Sequence, residues 1–399
     1  MYNIKNVTED TFWIGVEDKK IGLFENVFPV PDGISYNSYF VDDEKTVLID
    51  TSDKAIADLF FQNLDHVLNG RKLDYLIINH MEPDHCALIG EVCAKHPDVE
   101  IVCNKKAENL IHQFFEDLDV KIKIINEGDT LNTGKHEFVF YMAPMVHWPE
   151  TIVTYDKTTK ALYSGDAFGI FGGLNGDIFA NPDRFEDSWL PNARRYYSNI
   201  VGKYGMQVQN LLKKAANLDI DMLCPLHGPV INENLEKYIE KYDLWSRFEP
   251  EEKSCCIAYA SVYGHTENVC NILAAKLEER GVRNIQMYDV SRIDHSYILS
   301  DIFYASNLIL ASITYNNGLF AKMDELLAHI TTHNIQNRTV TIIENGSWVP
   351  QAGKKIEELL SDLKNLTFTE TKLTIKSALK KDQLEILDKI ADEIYASMK

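Results

Sequence analysis

The segment IINHMEPDHC, residues 77–86, carries two histidines and two carboxylates directly behind an apolar run. The apolar residues 76–78 predict a buried strand, and the polar positions after them predict an extended loop. Side chains alternate along an extended chain, so His80, Glu82 and Asp84 point the same way, and Asp84 can begin a following helix. Such crowded ionisable groups repel one another unless something neutralises them. Carboxylate and imidazole ligands suit iron, manganese or zinc, and a polar turn at a strand end is the alternative interpretation.

Three further positions follow predicted strands and have side chains that ligate metals. They are His147, Asp166 and His227. In layered α/β folds, ligands bind at the edge of the sheet where several strands end, so these side chains can converge with the first segment. One such residue alone is more often structural, but the combination favours a metal site. Asp50, at the end of an earlier strand, is either a carboxylate that orients a ligand histidine or a plain strand-end turn.

Composition limits the classes of function. The chain has 399 residues, of which 45% are hydrophobic, and a net charge of −20, which argues against a nucleic-acid partner. The sequence shows neither a secretory signal nor an apolar run of about 20 residues, so we expect a cytoplasmic protein without a membrane span. Seven cysteines, two of them adjacent, do not resemble a disulfide framework. The chain contains no C-x-x-C pair, which argues against a built-in rubredoxin or zinc-ribbon module.

The secondary-structure signals change near residue 250. Before it, strands are predicted at 11–16, 37–41, 46–50, 76–80, 99–103, 121–125, 136–142, 151–155, 161–164 and 221–225, and helices at 55–68, after residue 84, and at 106–118, 207–218 and 234–245. This pattern indicates two sheets with helices outside. The polar, proline-containing segment 246–253 indicates a linker.

After the linker, strands alternate with helices. Strands are predicted at 254–260, 284–289, 307–312 and 339–344, and helices at 266–280, 322–332, 352–363 and 381–398. Such alternation is typical of a doubly wound parallel sheet. We therefore predict an α/β protein with two domains, residues 1–250 and 251–399.

Three loops of the second domain have the composition of a cofactor site. The loop 261–267 leads into a helix, whose N-terminus and backbone N–H groups attract an anion, although a simple helix cap also explains it. It has no P-loop lysine and resembles the flavodoxin loop that holds the FMN phosphate. The loops 312–320 and 344–348 follow parallel strands at their carboxyl ends. The predicted FMN contacts are Ser261, Val262, Tyr263, Gly264, His265, Thr266, Thr314, Tyr315, Asn316, Asn317, Gly318, Asn345, Gly346, Ser347 and Trp348.

The order and spacing of these residues resemble the flavodiiron proteins, or A-type flavoproteins. The family pattern H-x-E-x-D-H, followed by H, D and H, runs here through His80, Glu82, Asp84, His85, His147, Asp166 and His227. The resemblance implies an N-terminal αββα metallo-β-lactamase-like sandwich followed by a flavodoxin-like domain. It further implies one iron on His80, Glu82 and His147, a second on Asp84, His85 and His227, and a bridging Asp166. His85 is not always a ligand in the family. Hydrolytic relatives have histidine where this chain has Glu82, and the extra carboxylate favours iron over zinc.

The resemblance also implies an activity and partners. Electrons would enter at FMN and pass to two irons that reduce O2 to water or NO to nitrous oxide, a detoxification in an anaerobe or microaerophile. The expected donor is rubredoxin or a flavoprotein reductase, and the expected assembly is a head-to-tail homodimer or a dimer of dimers. Tyr196 or Tyr197 is a candidate proton or hydrogen-bond donor, with core packing as the alternative. Two other functions stay open: a zinc hydrolase fused to a flavodoxin, and an electron carrier with an inactive metal domain.

Overall fold

A computed structural model describes residues 3–399, and the chain divides into two compact units. The first ends at Asp243 and the second comprises Leu244–Lys399. The division lies within the helix Leu235–Ser246, a few residues before the predicted boundary. The predicted linker is shorter than expected, because this helix extends to Ser246 and the next strand begins at Glu252.

The first unit consists of short strands and helices. Its strands are β1 (Lys5–Asn6), β2 (Thr11–Trp13), β3 (Val16–Asp18), β4 (Leu23–Phe24), β5 (Phe28–Pro29), β6 (Ile34–Tyr36), β7 (Tyr39–Val41), β8 (Val47–Ile49), β9 (Tyr75–Ile77), β10 (Glu100–Cys103), β11 (Lys121–Ile124), β12 (Thr130–Asn132), β13 (Glu137–Met142), β14 (Ile152–Asp156), β15 (Ala161–Tyr163) and β16 (Met222–Cys224). Its helices are α1 (Ala57–Leu68), α2 (Pro83–Cys86), α3 (Ile89–Lys95), α4 (Lys105–Phe114), α5 (Leu190–Tyr196), α6 (Gly205–Ala215) and α7 (Leu235–Ser246).

Two sheets enclose the core of this unit. One has the strand order β1-β2-β7-β8-β9-β10-β11 and the other the order β12-β13-β14-β15-β16. Buried side chains of both sheets pack in one cluster, with Tyr39 and Ile77 from the first sheet and Phe140 and Tyr163 from the second. The segments after β9, β13, β15 and β16 are those that carry the predicted ligands. The helical stretch 182–204, including α5, was not predicted; it contains two prolines and π-helical turns that break helical periodicity.

The second unit is built around the predicted doubly wound parallel sheet. Its strands are β17 (Glu252–Tyr259), β18 (Gln286–Asp289), β19 (Ala305–Tyr315), β20 (Gly318–Leu319), β21 (Arg338–Asn345), β22 (Leu366–Phe368) and β23 (Leu373–Ile375), and its helices are α8 (His265–Glu279), α9 (His295–Tyr304), α10 (Ala321–Thr332), α11 (Ala352–Leu360) and α12 (Leu384–Ser397). The parallel strands follow the order β18-β17-β19-β21-β22, while β23 also pairs with β21. Helix α9 was not predicted, because it is buried over most of its surface and lacks an amphipathic period.

Candidate functional site

The predicted metal-binding residues converge in the first unit. Their ligand atoms form two groups, each with all atoms within 4.8 Å of one another. The first group is His80, Glu82, His147 and Asp166, and the second is Asp84, His85 and His227. The structure therefore brings together every side chain that the H-x-E-x-D-H pattern and its three downstream positions selected.

The carboxylate of Asp166 lies between the two groups. Its Oδ2 is 3.0 Å from Nε2 of His147 and 3.4 Å from Nε2 of His80. Its Oδ1 is 3.3 Å from Nε2 of His85 and 3.8 Å from Nε2 of His227. One oxygen faces each group, which is the geometry a bridging carboxylate requires.

The other separations are those of atoms around a common cation. Nε2 of His147 is 3.0 Å from Oε2 of Glu82. Oδ2 of Asp84 is 3.2 Å from Nε2 of both His85 and His227, and the last two nitrogens are 3.0 Å apart. Ligands at about 2.1 Å from one metal lie roughly 3.0–3.4 Å from each other at octahedral to tetrahedral angles.

The negative charge of the buried site must be compensated by cations. Glu82, Asp84 and Asp166 are all largely or fully buried, and buried carboxylates require compensating charge. Neither Oδ atom of Asp84 has a hydrogen-bond partner among residues 3–399, nor does Oδ1 of Asp166. Burial opposes the charged ring of His147, but hydrogen bonds that the ring donates to Asp166 and Glu82 outweigh this effect and raise its pKa to about 9. The site thus stabilises positive charge, and a pair of metal ions would supply that charge.

Surrounding groups fix the orientation of the imidazoles. Nδ1 of His80 is 2.9 Å from Oε1 of the buried Glu150, and Nδ1 of His227 donates to the carbonyl oxygen of Ser35 at 2.7 Å. Both contacts leave Nε2 directed at the site. Nδ1 of His85 has no protein partner within the described part of the chain.

The carboxylate of Asp50 hydrogen-bonds to the loop at Asn79 and His80 rather than to a ligand ring. Its Oδ1 accepts the N–H of Asn79 at 2.7 Å and of His80 at 3.3 Å, and its Oδ2 accepts the amide of Asn79. Burial raises the pKa of Asp50 to about 6, and the charge of His85 and then these hydrogen bonds partly offset the effect. This carboxylate holds the loop from which the ligands project.

A cavity of about 490 Å³ reaches the site beside Glu82 and Asp84. Its walls combine apolar side chains such as Leu23 and Phe24 with Glu25. Burial, reinforced by Glu82, raises the pKa of Glu25 to about 8. Glu25 was not among the predicted site residues, because it lies in the short β4–β5 connection and belongs to no motif.

Of the two candidate tyrosines, Tyr196 is the one beside the site. Its ring centroid is 5.5 Å from that of His227, and its hydroxyl is buried without a hydrogen-bond partner among residues 3–399. Burial and the carboxylates of Asp166 and Asp84 raise its pKa well above the usual value. The ring of Tyr197 instead packs against Tyr242, at 5.0 Å between centroids.

The second unit has a cavity of about 480 Å³ at the carboxyl ends of its strands. All three predicted cofactor loops line it. The lining residues are Ser261, Val262, Tyr263, His265, Thr266, Ile313, Thr314, Tyr315, Asn316, Asn317, Asn345, Gly346, Ser347, Trp348, Val349 and Ser377. Tyr263 and Trp348 are 89% and 80% exposed at its rim, so these aromatic faces are available for stacking on a planar ring.

The first loop fits a phosphate. Oγ of Ser261 is buried without a protein partner within the described residues, and the N-terminus of α8 follows at once. Gly264 does not line the cavity; it precedes α8 with φ +84°, a conformation that glycine adopts without strain. Its role is to turn the chain so that the N–H groups of α8 face the ligand.

The other two loops are held by internal hydrogen bonds. Gly318 pairs with Tyr315 across a tight turn. The hydroxyl of Thr314 accepts hydrogen bonds from the N–H groups of Gln351 and Ala352 and so holds the start of helix α11 against this loop. Sequence reasoning missed Ser377, whose N–H donates to the side-chain oxygen of Asn345 at 3.1 Å. It follows a very short strand, β23, whose carboxyl end could not be located from periodicity.

Comparisons with known proteins agree with this geometry. The model of the ODP family β-lactamases matches residues 34–228 and the flavodoxin model matches residues 257–386. The rubredoxin oxygen:oxidoreductase of Desulfovibrio gigas superimposes with a TM-score of 0.93 at 25% identity, covering 99% of this chain and 98% of that one. The chain belongs to the flavodiiron protein family.

Other relatives of this flavodiiron protein span nearly its full length. An uncharacterised protein of Methanocaldococcus jannaschii is 28% identical over 386 residues, which are 96% of this chain and 95% of the relative. The anaerobic nitric oxide reductase flavorubredoxin of Escherichia coli is 28% identical over 382 residues, covering 94% of this chain and 78% of the relative.

The cofactors of this flavodiiron protein follow from its two domains. The flavodoxin domain implies FMN, and flavodiiron relatives carry a di-iron site. The mixed carboxylate and imidazole donors, with several buried oxygens left unsatisfied, fit that metal pair. No helix within residues 3–399 is long and apolar enough to cross a membrane.

Proposed function

We propose that this flavodiiron protein reduces O2 to water, NO to nitrous oxide, or both, with electrons that enter through FMN. The observation that carries the proposal is the sharing of Asp166 between two sets of ligands, with one carboxylate oxygen directed at each. The relatives with oxygen oxidoreductase and nitric oxide reductase in their names support it.

The proposed ligand sets follow the two groups. His80, Glu82 and His147 would hold one iron, Asp84, His85 and His227 the other, and Asp166 would bridge them. When bound at these residues, two adjacent ferrous ions would supply two electrons together for the reduction of a small substrate. The chain's own contribution is to fix the imidazoles through Glu150 and Ser35, to admit the substrate past Phe24, and to present the Tyr196 hydroxyl.

A double variant tests this assignment. Glu82→Ala/His147→Ala removes two ligands of one proposed iron, and we expect it to keep its yellow FMN but to lose consumption of both gases. Glu137→Ala/His112→Ala removes a half-exposed carboxylate and an exposed imidazole of the same unit and is the matched control. Anaerobic stopped-flow of the reduced proteins against O2 and, separately, NO gives the rates. Gas consumption that survives in the first variant would overturn the di-iron assignment, and two bound zinc ions with hydrolase turnover would establish the hydrolase instead.

We further propose that residues 1–250 form the domain that binds the metal pair and that residues 251–399 form the domain that binds FMN. The electron donor would be an external rubredoxin or flavoprotein reductase, and the protein would be cytoplasmic. The proposed assembly is a head-to-tail homodimer or a dimer of dimers. The name of the Desulfovibrio gigas relative supports the donor. The exposed rings of Tyr263 and Trp348 support a partner surface at the flavin.

Complementation between two defective chains tests the head-to-tail arrangement. One chain is Glu82→Ala/His147→Ala, and the other is Ser261→Asp/Thr266→Asp, which places carboxylates where the FMN phosphate would bind. If the flavin of one chain serves the metals of the other, co-expressed heterodimers regain NO or O2 reduction that neither homodimer shows. Heterodimers as inactive as both parents would contradict the arrangement.

A further inference from the structure

The second unit holds another cluster of metal-ligating side chains, none of which belongs to the three flavin loops. His295 begins α9, while Glu325 and His329 lie on α10. One ligand atom of each lies within 4.8 Å of the others. Residues four apart on a helix share a face, so Glu325 and His329 project together toward His295.

His295 is buried in a way that ordinary packing does not satisfy. It is only 6% exposed, and neither ring nitrogen has a hydrogen-bond partner among residues 3–399. Its Nδ1 is 3.5 Å from Oε1 of Glu325, which is too long for a good hydrogen bond. Its ring centroid is 5.7 Å from that of His329. A buried polar group without a partner indicates that something else binds it.

The electrostatics of the cluster suit a cation. Burial lowers the pKa of His295, and burial together with the neighbouring histidines lowers the pKa of His329. Lys322 occupies Oε2 of Glu325 at 2.8 Å, which leaves Oε1 directed at the histidines. The next histidine along, His333, uses Nδ1 to donate to the carbonyl oxygen of His329 at 2.8 Å and lies outside the cluster.

We propose that His295, Glu325 and His329 bind one divalent late transition-metal cation, with Zn²⁺ as the best match. Two imidazoles and one carboxylate form a borderline-soft donor set, which zinc takes readily with solvent in the remaining position. Mg²⁺ and Ca²⁺ prefer oxygen donors alone. Because the donors come from both α9 and α10, the bound cation would join the two helices and stabilise the folded second unit.

Zinc binding to the full-length protein, already loaded with iron and FMN, tests the proposal. The protein is dialysed against buffered ZnCl2, and zinc, iron and FMN per chain are measured by elemental analysis and absorbance. We expect one zinc per chain with iron unchanged, and a rise in unfolding temperature on zinc addition. His295→Gln and His329→Gln should each weaken zinc binding by at least ~100-fold, since even an outer-shell partner contributes ~10–100-fold.

Two further variants complete the design. His112→Gln, at an exposed position of the first unit, is the control and should bind zinc as the wild type does. Glu325→Gln alters a half-exposed residue, so it removes the carboxylate without threatening the fold and should weaken binding by ~10-fold or more. The proposal is overturned if Glu325→Gln and His329→Gln bind zinc like the control, or if zinc uptake only matches iron loss.

Discussion

Nδ1 of His80 lies 2.9 Å from Oε1 of Glu150, and both side chains are fully buried. The same oxygen accepts the backbone N–H of Met81 at 2.9 Å. Glu150 therefore holds both the imidazole and the loop beside it. It fixes which ring nitrogen of His80 carries the proton and directs Nε2 toward Asp166.

Replacing Glu150 by glutamine should weaken the metal site without removing a proposed ligand. The amide keeps the shape but loses the negative charge that supports the His80 ring. We expect iron affinity at the His80 group to fall by ~10–100-fold, the usual cost of losing such a partner. Iron retained after dialysis against a graded series of chelator concentrations measures this. Glu137→Gln, a change at a half-exposed position of β13, is the control; equal iron retention in the two variants would contradict the role of Glu150.

Removal of the Tyr196 hydroxyl should affect turnover and not stability. The hydroxyl is buried without a hydrogen-bond partner in the described part of the chain, so Tyr196→Phe leaves no group there newly unsatisfied and should change the free energy of unfolding by less than ~1 kcal/mol. If the hydroxyl hydrogen-bonds to the reacting molecule, the rate of gas reduction should fall by roughly 10–100-fold.

The neighbouring Tyr197→Phe is the control for this variant, since the Tyr197 ring packs against Tyr242. Stopped-flow rates and urea unfolding are measured for both. Equal turnover in the two variants would assign Tyr196 to core packing alone.

Most of the metal site could be predicted because its residues form a local pattern. His80, Glu82, Asp84 and His85 lie within six positions, and His147 has the same strand-end context. Glu150 and Glu25 had no such pattern, and only the three-dimensional packing shows what they contact. Asp50 was placed correctly near the site, but its actual contact with the loop backbone depends on a turn that spacing does not specify.

Most of the fold could also be predicted, because its strands and helices have local sequence patterns. The strand and helix patterns predicted the two sheets of the first unit and the parallel sheet of the second, whereas α9 was missed because it is buried nearly all round. That helix carries His295, to which the sequence assigned no role. The cluster with Glu325 and His329 exists only once α9 and α10 are packed.

The exposed Trp348 should contribute to flavin binding. Its side chain is 80% exposed at the rim of the second-unit cavity, and stacking on a planar ring contributes ~1–3 kcal/mol in comparable sites. Trp348→Ala should therefore raise the Kd for FMN by about tenfold or more, while Trp348→Phe should retain most of the affinity. Quenching of flavin fluorescence on binding to the deflavinated protein measures both. Identical Kd values for the alanine variant and the wild type would exclude stacking by this residue.

The His136 cluster should make the stability of the first unit depend on pH. Nδ1 of His136 is 2.7 Å from Oδ2 of Asp156, and Nε2 is 3.2 Å from Oδ2 of Asp10. Burial opposes the charged ring, but Asp156 and then Asp10 outweigh it and raise the pKa of His136 above its ordinary value of 6.5. A raised pKa in the folded state means that the stabilisation is fully present below pH 6.5 and is lost as the pH rises through the folded-state pKa. His136→Gln should therefore cost about 1–3 kcal/mol at pH 6 and clearly less at pH 9. Urea unfolding of the protein at pH 6 and pH 9 measures the difference. His112→Gln, at an exposed position, is the control and should show no such trend. A loss of unfolding free energy that grows with pH would mean that His136 is neutral in the folded protein.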